Sequence, residues 1–268
     1  MKTTVNANQK GGVGKTFFDV QFSYFVFLDY QQPTLVIDFD HQGNTSKAIQ
    51  KGGLATVSRV KASELFTYEK DKMPVIENAP FVLISADREE LLALEKQAAR
   101  HNEFATNLKA FLKSVDGQFK VCMIDTNPNP DIRQLASLAV ADFVLSPIQL
   151  NQEAIDGIGQ LLNNERLGLR RIQAKLNPKL QLIGILPNLV EPTPFQRENF
   201  KALSTHYAKL LIPMDGGGFA AIKRTTAVPE AQAAGLPVWK LNKTSAREAW
   251  AQMRPVFEKI ASIMGVAK

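Results

Sequence analysis

Lys10-Gly11-Gly12-Val13-Gly14-Lys15-Thr16 packs three glycines, two lysines and a hydroxyl into seven consecutive residues. That set suits a polyphosphate. Glycines permit the turns that aim successive backbone N–H groups at one anion. Lys15 would reach the outer phosphates, and the Thr16 hydroxyl would sit on a magnesium ion. A helix starting here would add the positive end of its dipole. The common pattern G-x-x-x-x-G-K-[ST] requires glycine at position 9, where this chain has Gln9. The loop is therefore a variant, K-G-G-x-G-K-T, with an extra cation, Lys10, at its front.

Two further sets of residues could work beside it. The apolar run 35–40 ends in Asp38 and Asp40 and leads into His41-Gln42-Gly43-Asn44, and the run 119–125 ends in Asp125. Taken alone, the first reads as an acidic turn capping the next helix, and the second, a single strand-end aspartate, is a weak motif. At the carboxyl end of a strand, next to a phosphate loop, carboxylates are placed to hold magnesium and water.

These side chains need a scaffold. Residues 2–7, 35–40, 81–85, 119–125, 142–148 and 182–187 read as strands. Several are apolar on both faces, as in a parallel sheet with both sides covered. Helices are expected over 16–28, 46–51, 63–68, from Asp87 as N-cap to about 113, 154–176 and 245–264. The first is apolar all round, with Phe17, Phe18, Phe22, Tyr24, Phe25 and Phe27, so it should be buried between the sheet and its neighbours. In the last, Pro255 removes one helical hydrogen bond, and Ala249, Trp250, Met253, Val256, Phe257, Ile260 and Ile263 form a packing face. The fold expected is α/β: a mostly parallel twisted sheet flanked by helices.

Composition sets the limits. At 268 residues the chain reads as a single domain over 1–268, with no linker-like segment. One cysteine, Cys122, allows no internal disulfide and no cysteine cluster, and His41, His101 and His206 are far apart in sequence. The start offers no cleavable leader, and the run 22–28 is far shorter than the roughly 20 residues of a membrane span. A net charge of +6 and a pI of about 9.3 make a polyanionic partner plausible without proving one.

The variant loop resembles that of the deviant Walker ATPases: ParA-type DNA partition proteins, MinD-type division-site proteins and the nitrogenase iron protein group. Asp38-Phe-Asp-His-Gln-Gly-Asn44 is similar to the family's D-x-D-P-Q-G-N, with His41 where proline is usual. Asp125-Thr-Asn-Pro128 is similar to D-x-P-P, with Asn127 for the first proline. Ile222, Arg224, Glu230, Ala231, Gly235, Pro237 and Val238 match a late family segment, in which Ala227 replaces a common arginine. The resemblance implies ATP and Mg2+ as ligands, with ATP bound by residues 11–17 (Gly11, Gly12, Val13, Gly14, Lys15, Thr16 and Phe17) and with Asn188 on the adenine edge. It implies metal held by Thr16, Asp40 and Asp125, and catalysis by Lys10, Lys15 and Asp40. Asp40 would polarise the attacking water, and Lys10 would act across a homodimer that sandwiches two ATP molecules.

The function implied is an ATP-dependent dimerisation switch with weak ATPase activity. It would bind nonspecific duplex DNA, be stimulated by a centromere-binding ParB-like protein, and drive plasmid or chromosome partition. The expected location is cytoplasmic and nucleoid-associated. Candidate DNA contacts are Arg166, Arg170, Arg171, Lys175, Lys179, Lys223, Arg224, Lys240, Lys243 and Arg247; each alone could equally be a solvated charge. The sequence leaves no room before Lys2 for an N-terminal helix-turn-helix domain, so operator binding is not expected. A MinD-like membrane cycle would need a basic amphipathic terminal helix, and the tail 262–268 has one lysine; no membrane partner is expected. A conjugation accessory ATPase would look the same. Electron transfer would need cysteine ligands, and Cys122 falls inside a strand.

Overall fold

The computed structural model describes residues 1–8, 10–69, 71–266 and 268. Seven strands form one sheet: β1 (Lys2–Asn6), β2 (Thr34–Asp38), β3 (Thr56–Lys61), β4 (Phe81–Ser85), β5 (Val121–Asp125), β6 (Phe143–Ile148) and β7 (Gln181–Pro187). The strands pair side by side, and β2, β4, β5 and β6 are buried along their whole length, on both faces. Their order is β3-β4-β2-β5-β1-β6-β7, and every pairing is parallel. Parallel strands need crossovers, so helices cover both faces.

One face buries Val36, Leu83, Met123 and Leu145 under α1 (Lys15–Leu28), α2 (Asn44–Gly52), α11 (Ala227–Ala234) and α12 (Thr244–Ile263). The alternate strand residues Leu35, Val82, Cys122 and Val144 bury the other face. There they meet α3 (Glu64–Thr67), α4 (Arg88–Leu94), α5 (His101–Ser114), α6 (Ile132–Val140) and α9 (Leu169–Lys175). A third cluster joins α7 (Gln152–Asp156), α8 (Ile158–Asn163) and α10 (Pro194–His206) to Ile148 and Ile185.

Helix α1 is buried along most of its length, as its composition requires. Its rings interlock with the C-terminal helix: Phe18 lies 5.2 Å from Phe257, and Phe25 lies 5.8 Å from both Phe257 and Trp250. The aromatic residues are core, and they tie the phosphate-loop helix to the last helix. The late motif does a related job. Gln21 of α1 donates to the Leu236 carbonyl and accepts from Val238 N–H, and Tyr24 donates to the Gly235 carbonyl. Gly235 caps α11 at φ 70°, and a Cβ there would lie 2.6 Å from the Ala48 carbonyl oxygen. Only glycine fits that approach.

Two long helices expected from the sequence are each broken. The stretch after Asp87 forms α4, a short 3-10 turn (Ala98–Arg100) and α5. Leu91 and Leu94 of α4 and Phe104, Leu108 and Phe111 of α5 bury in the same core cluster, on either side of that turn. The stretch 154–176 divides into α7, α8 and α9. Asn164 ends α8 by accepting from the N–H groups of Arg166 and Leu167, a local turn that competes with helix. Elements without a sequence-based expectation are β3, α6, α10 and α11.

Candidate nucleotide and metal site

The carboxyl ends of β1, β2 and β5 converge, and the three loops that leave them carry the chemistry. The first runs from β1 to α1. Gly12 and Gly14 adopt φ of 74° and 87°, the left-handed region where a side chain is strained. A Cβ on Gly14 would also collide with the Asn188 amide nitrogen. That nitrogen donates to the Val13 carbonyl at 2.8 Å, so Asn188 braces the loop from behind; its Oδ1 is buried without a partner among the described residues. Further braces come from the end of β6: Asn8 donates to the Pro147 carbonyl at 2.7 Å, and Gln149 to the Gly12 carbonyl at 3.1 Å.

The two loop lysines face different ways. Lys15 is buried, and its ammonium donates to the carbonyls of Asn8 (3.3 Å) and Lys10 (3.5 Å) inside the loop. Burial pushes its pKa down, opposed chiefly by the charge of Asp125. Lys10 instead reaches Glu153 on α7 at 2.7 Å, at the surface. Its hydrogen bond, then its charge, hold the Glu153 carboxyl below the usual range.

Asp125 sits at the end of β5, fully buried. Its Oδ2 accepts from the hydroxyls of Thr16 (2.9 Å) and Thr45 (2.6 Å), and its Oδ1 is buried with no partner among the described residues. Burial pushes its pKa up. Asp38 is its register neighbour on β2. Burial, then the Asp125 charge, push Asp38 up to about 8. Asp38 is committed to structure: it accepts from Ser46 N–H and Oγ and from Asp40 N–H. Asp40 lies two residues past the strand, mostly buried, and accepts from Gln42 N–H.

This donor set fits a magnesium-bound phosphate. Thr16 spends its proton on Asp125, which leaves its lone pairs for a cation, and Asp125 Oδ1 is an unused buried acceptor. Magnesium needs no more than one or two carboxylates when phosphates and waters complete its shell. That accords with the absence, among the described residues, of any cluster of three or more His, Cys, Asp or Glu side chains able to hold a metal alone.

The two acidic loops are joined by a network that sequence reasoning missed. Asp131 caps α6 and forms a buried ion pair with Arg133. Asn127 donates to Asp131 at 2.9 Å. Arg133 also donates to the Phe39 carbonyl and to His41 Nδ1, both at 3.3 Å. The two positions that depart from the family pattern, His41 and Asn127, thus meet through one arginine–aspartate pair. No sequence signal links them, because Arg133 is 92 residues from His41. Thr45 was within reach of the sequence, directly after the Gly43-Asn44 landmark.

The basic candidates do not form one surface. Arg166, Arg170, Arg171, Lys175 and Lys179 lie on or beside α9, on one face of the sheet. Lys240, Lys243 and Arg247 lie at the start of α12, on the opposite face. Lys223 and Arg224 lie near the end of β7, where Val190 bridges Lys223. Three of the ten are in ion pairs: Arg166 with Glu95, Arg224 with Glu191, and Lys243 with Glu230. Among the described residues, no helix is long and apolar enough to cross a membrane.

Comparison with known proteins agrees with this geometry. The AAA domain family (AAA_31) matches residues 1–182. Protein IncC of Escherichia coli is 33% identical over 279 residues, covering 100% of this chain and 71% of IncC. The chromosome-partitioning ATPase Soj of Treponema pallidum (strain Nichols) is 28% identical, covering 88% of each chain. Among solved structures, an ATP complex of McdA from Cyanothece superposes with a TM-score of 0.77 at 20% identity, covering 100% of this chain and 98% of McdA; at that identity it speaks for the fold alone. The chain belongs to the ParA-type partition ATPases of the deviant Walker A group.

Proposed function

We propose that this protein is a partition ATPase whose ATP-bound form is a dimer, acting as one P-loop domain over residues 1–268. The dimer binds nonspecific duplex DNA on the nucleoid, in the cytoplasm, and a centromere-binding ParB-like partner stimulates hydrolysis and release. Relatives named for chromosome partitioning support the partition role.

The observation that carries this reading is the division between the loop lysines. Lys15 points into its own loop, onto carbonyls a phosphate would displace, while Lys10 points out of it, onto exposed Glu153. A cation held outside its own cradle is available to a second subunit.

Bound magnesium would offset phosphate charge. The chain's residues do the rest. Glycine-loop N–H groups and Lys15 hold the phosphates, and Thr16 and Asp125 orient the metal side. Asp40 accepts a hydrogen bond from the attacking water. Asn188 has one amide oxygen left for the adenine edge. The closed state depends on the γ-phosphate and is lost on hydrolysis.

The test is light scattering with ATP, ADP or neither, on wild type and Lys10→Ala. The expected result is an ATP-dependent dimer in the wild type, and a monomer that still binds nucleotide in Lys10→Ala. An unchanged dimer in the variant overturns the trans role. DNA binding measured in parallel should require ATP and weaken steeply with salt, because phosphate contacts release counterions. Charge reversal on α9 and, separately, at the start of α12 would show which face contacts DNA.

A further inference from the structure

Asp19 lies one turn beyond Lys15 on α1 and is fully buried. Its Oδ1 accepts from Asn6 Nδ2 at 2.6 Å. Among the described residues, its buried Oδ2 has no partner, and neither has buried Asn6 Oδ1. Among the described residues no cation pairs with it: the Lys15 ammonium is turned to the carbonyls of Asn8 and Lys10. An ionised carboxylate buried with a single amide donor would be costly.

The two orphaned atoms are both acceptors, and they belong to two side chains already joined through their other ends. One proton satisfies both. If Oδ2 of Asp19 carries it, Oδ2–H donates to Asn6 Oδ1 while Asn6 Nδ2 donates to Asp19 Oδ1, and acid and amide close a ring of two hydrogen bonds.

We propose that Asp19 is a neutral carboxylic acid whose cyclic pair with Asn6 is a positioning strut, tying the strand that enters the phosphate loop to the helix that leaves it. Asn6 ends β1 and Asp19 sits in the second turn of α1, so the pair spans the base of the loop. A neutral Asp19 also leaves the Lys15 charge free for an anionic ligand. The positioning role rests on the nucleotide-site reading; the protonation does not.

The groups facing Asp19 are Lys15 on its own helix, Asn6 on β1, Asp125 on β5 and Asp38 on β2. Burial first, then the Asp125 charge, push its pKa well up, while Lys15 and the Asn6 hydrogen bond pull it down. The folded protein therefore holds a proton that the unfolded chain releases. The stability from this site is complete below the unfolded value and is lost as pH rises toward the folded one. Asp19→Asn has no proton to lose and can keep both hydrogen bonds of the ring.

Infrared spectra of the nucleotide-free full chain, with 13C-labelled aspartate at neutral pH, test the protonation. The wild type should show the carbonyl band of a protonated acid that Asp19→Asn lacks. The Tm advantage of Asp19→Asn over wild type should grow as pH rises above about 4, the unfolded aspartate value. A carboxylate band in place of the acid, or a pH-independent Tm difference, overturns the proposal. Binding of a fluorescent ATP analogue tests the strut. Asp19→Ala should bind about tenfold more weakly, the scale of a lost hydrogen bond with an orphaned partner, and Asp19→Asn should restore binding. Equal binding by wild type and Asp19→Ala overturns the strut. If the wild type binds no nucleotide, the ATPase reading fails and the strut with it, while the infrared band still decides the protonation.

Discussion

The phosphate loop and the pair of acidic loops face the same site and are built differently. The phosphate loop is shaped by backbone: left-handed Gly12 and Gly14, a helix end, and amide side chains that hold its carbonyls. The acidic loops are shaped by buried charge. Asp38 and Asp125 are paired at the ends of adjacent strands, and the Asp131–Arg133 pair joins the turn at His41 to the turn at Asn127. Backbone geometry tolerates changes of charge but not of shape. A buried ion pair is bound by charge balance instead: apolar residues of similar size can replace both partners but not one.

That contrast predicts the largest effect at Arg133. Arg133→Met should leave Asp131 buried and unpaired at a cost of about 3–5 kcal/mol, read by urea unfolding. Adding Asp131→Leu should recover much of the loss, although α6 then loses its cap at about 1 kcal/mol. A single variant as stable as wild type would show that the network carries little. On the backbone side, Gly14→Ala introduces a left-handed side chain against Asn188, with strain of about 1–3 kcal/mol. Its larger effect should be on nucleotide binding, with the rest of the fold retained by circular dichroism. If Gly14→Ala bound nucleotide normally, the brace from Asn188 would not set the loop shape.

The same contrast explains what the sequence made legible. Lys10 to Thr16 announced itself because a backbone-built loop needs specific residues at consecutive positions. The strands were legible because runs such as 35–37 and 121–124 have no polar face. The late motif matched by pattern, but its role was hidden: Gly235 is required by the close approach of α2, nearly 190 residues earlier in the chain, which no local spacing reveals. The broken helices were hidden for a different reason. The turn at Asn164 is made by one side chain inside a stretch otherwise rich in helix formers. Arg133 carried no signal, because nothing near it in sequence shows that Asp131, Phe39 and His41 surround it.

The smallest effect, and the sharpest use of the contrast, lies at His41. Asp40 to Gly43 form a turn closed by the Gly43 N–H on the Asp40 carbonyl at 2.9 Å. His41 is the second residue of that turn, where proline is favoured because its fixed φ suits the position. His41→Pro should therefore keep the turn and stiffen the unfolded chain, a gain of about 0.4–1 kcal/mol. It loses the hydrogen bond from Arg133, worth a similar amount. The two nearly cancel, so the expected change in stability is under about 1 kcal/mol by urea unfolding. In an Arg133→Met background the hydrogen bond is already gone, and His41→Pro should become plainly stabilising. A double-mutant cycle isolates this difference. If His41→Pro has the same effect in both backgrounds, His41 and Arg133 do not communicate, and the two acidic loops are separate parts.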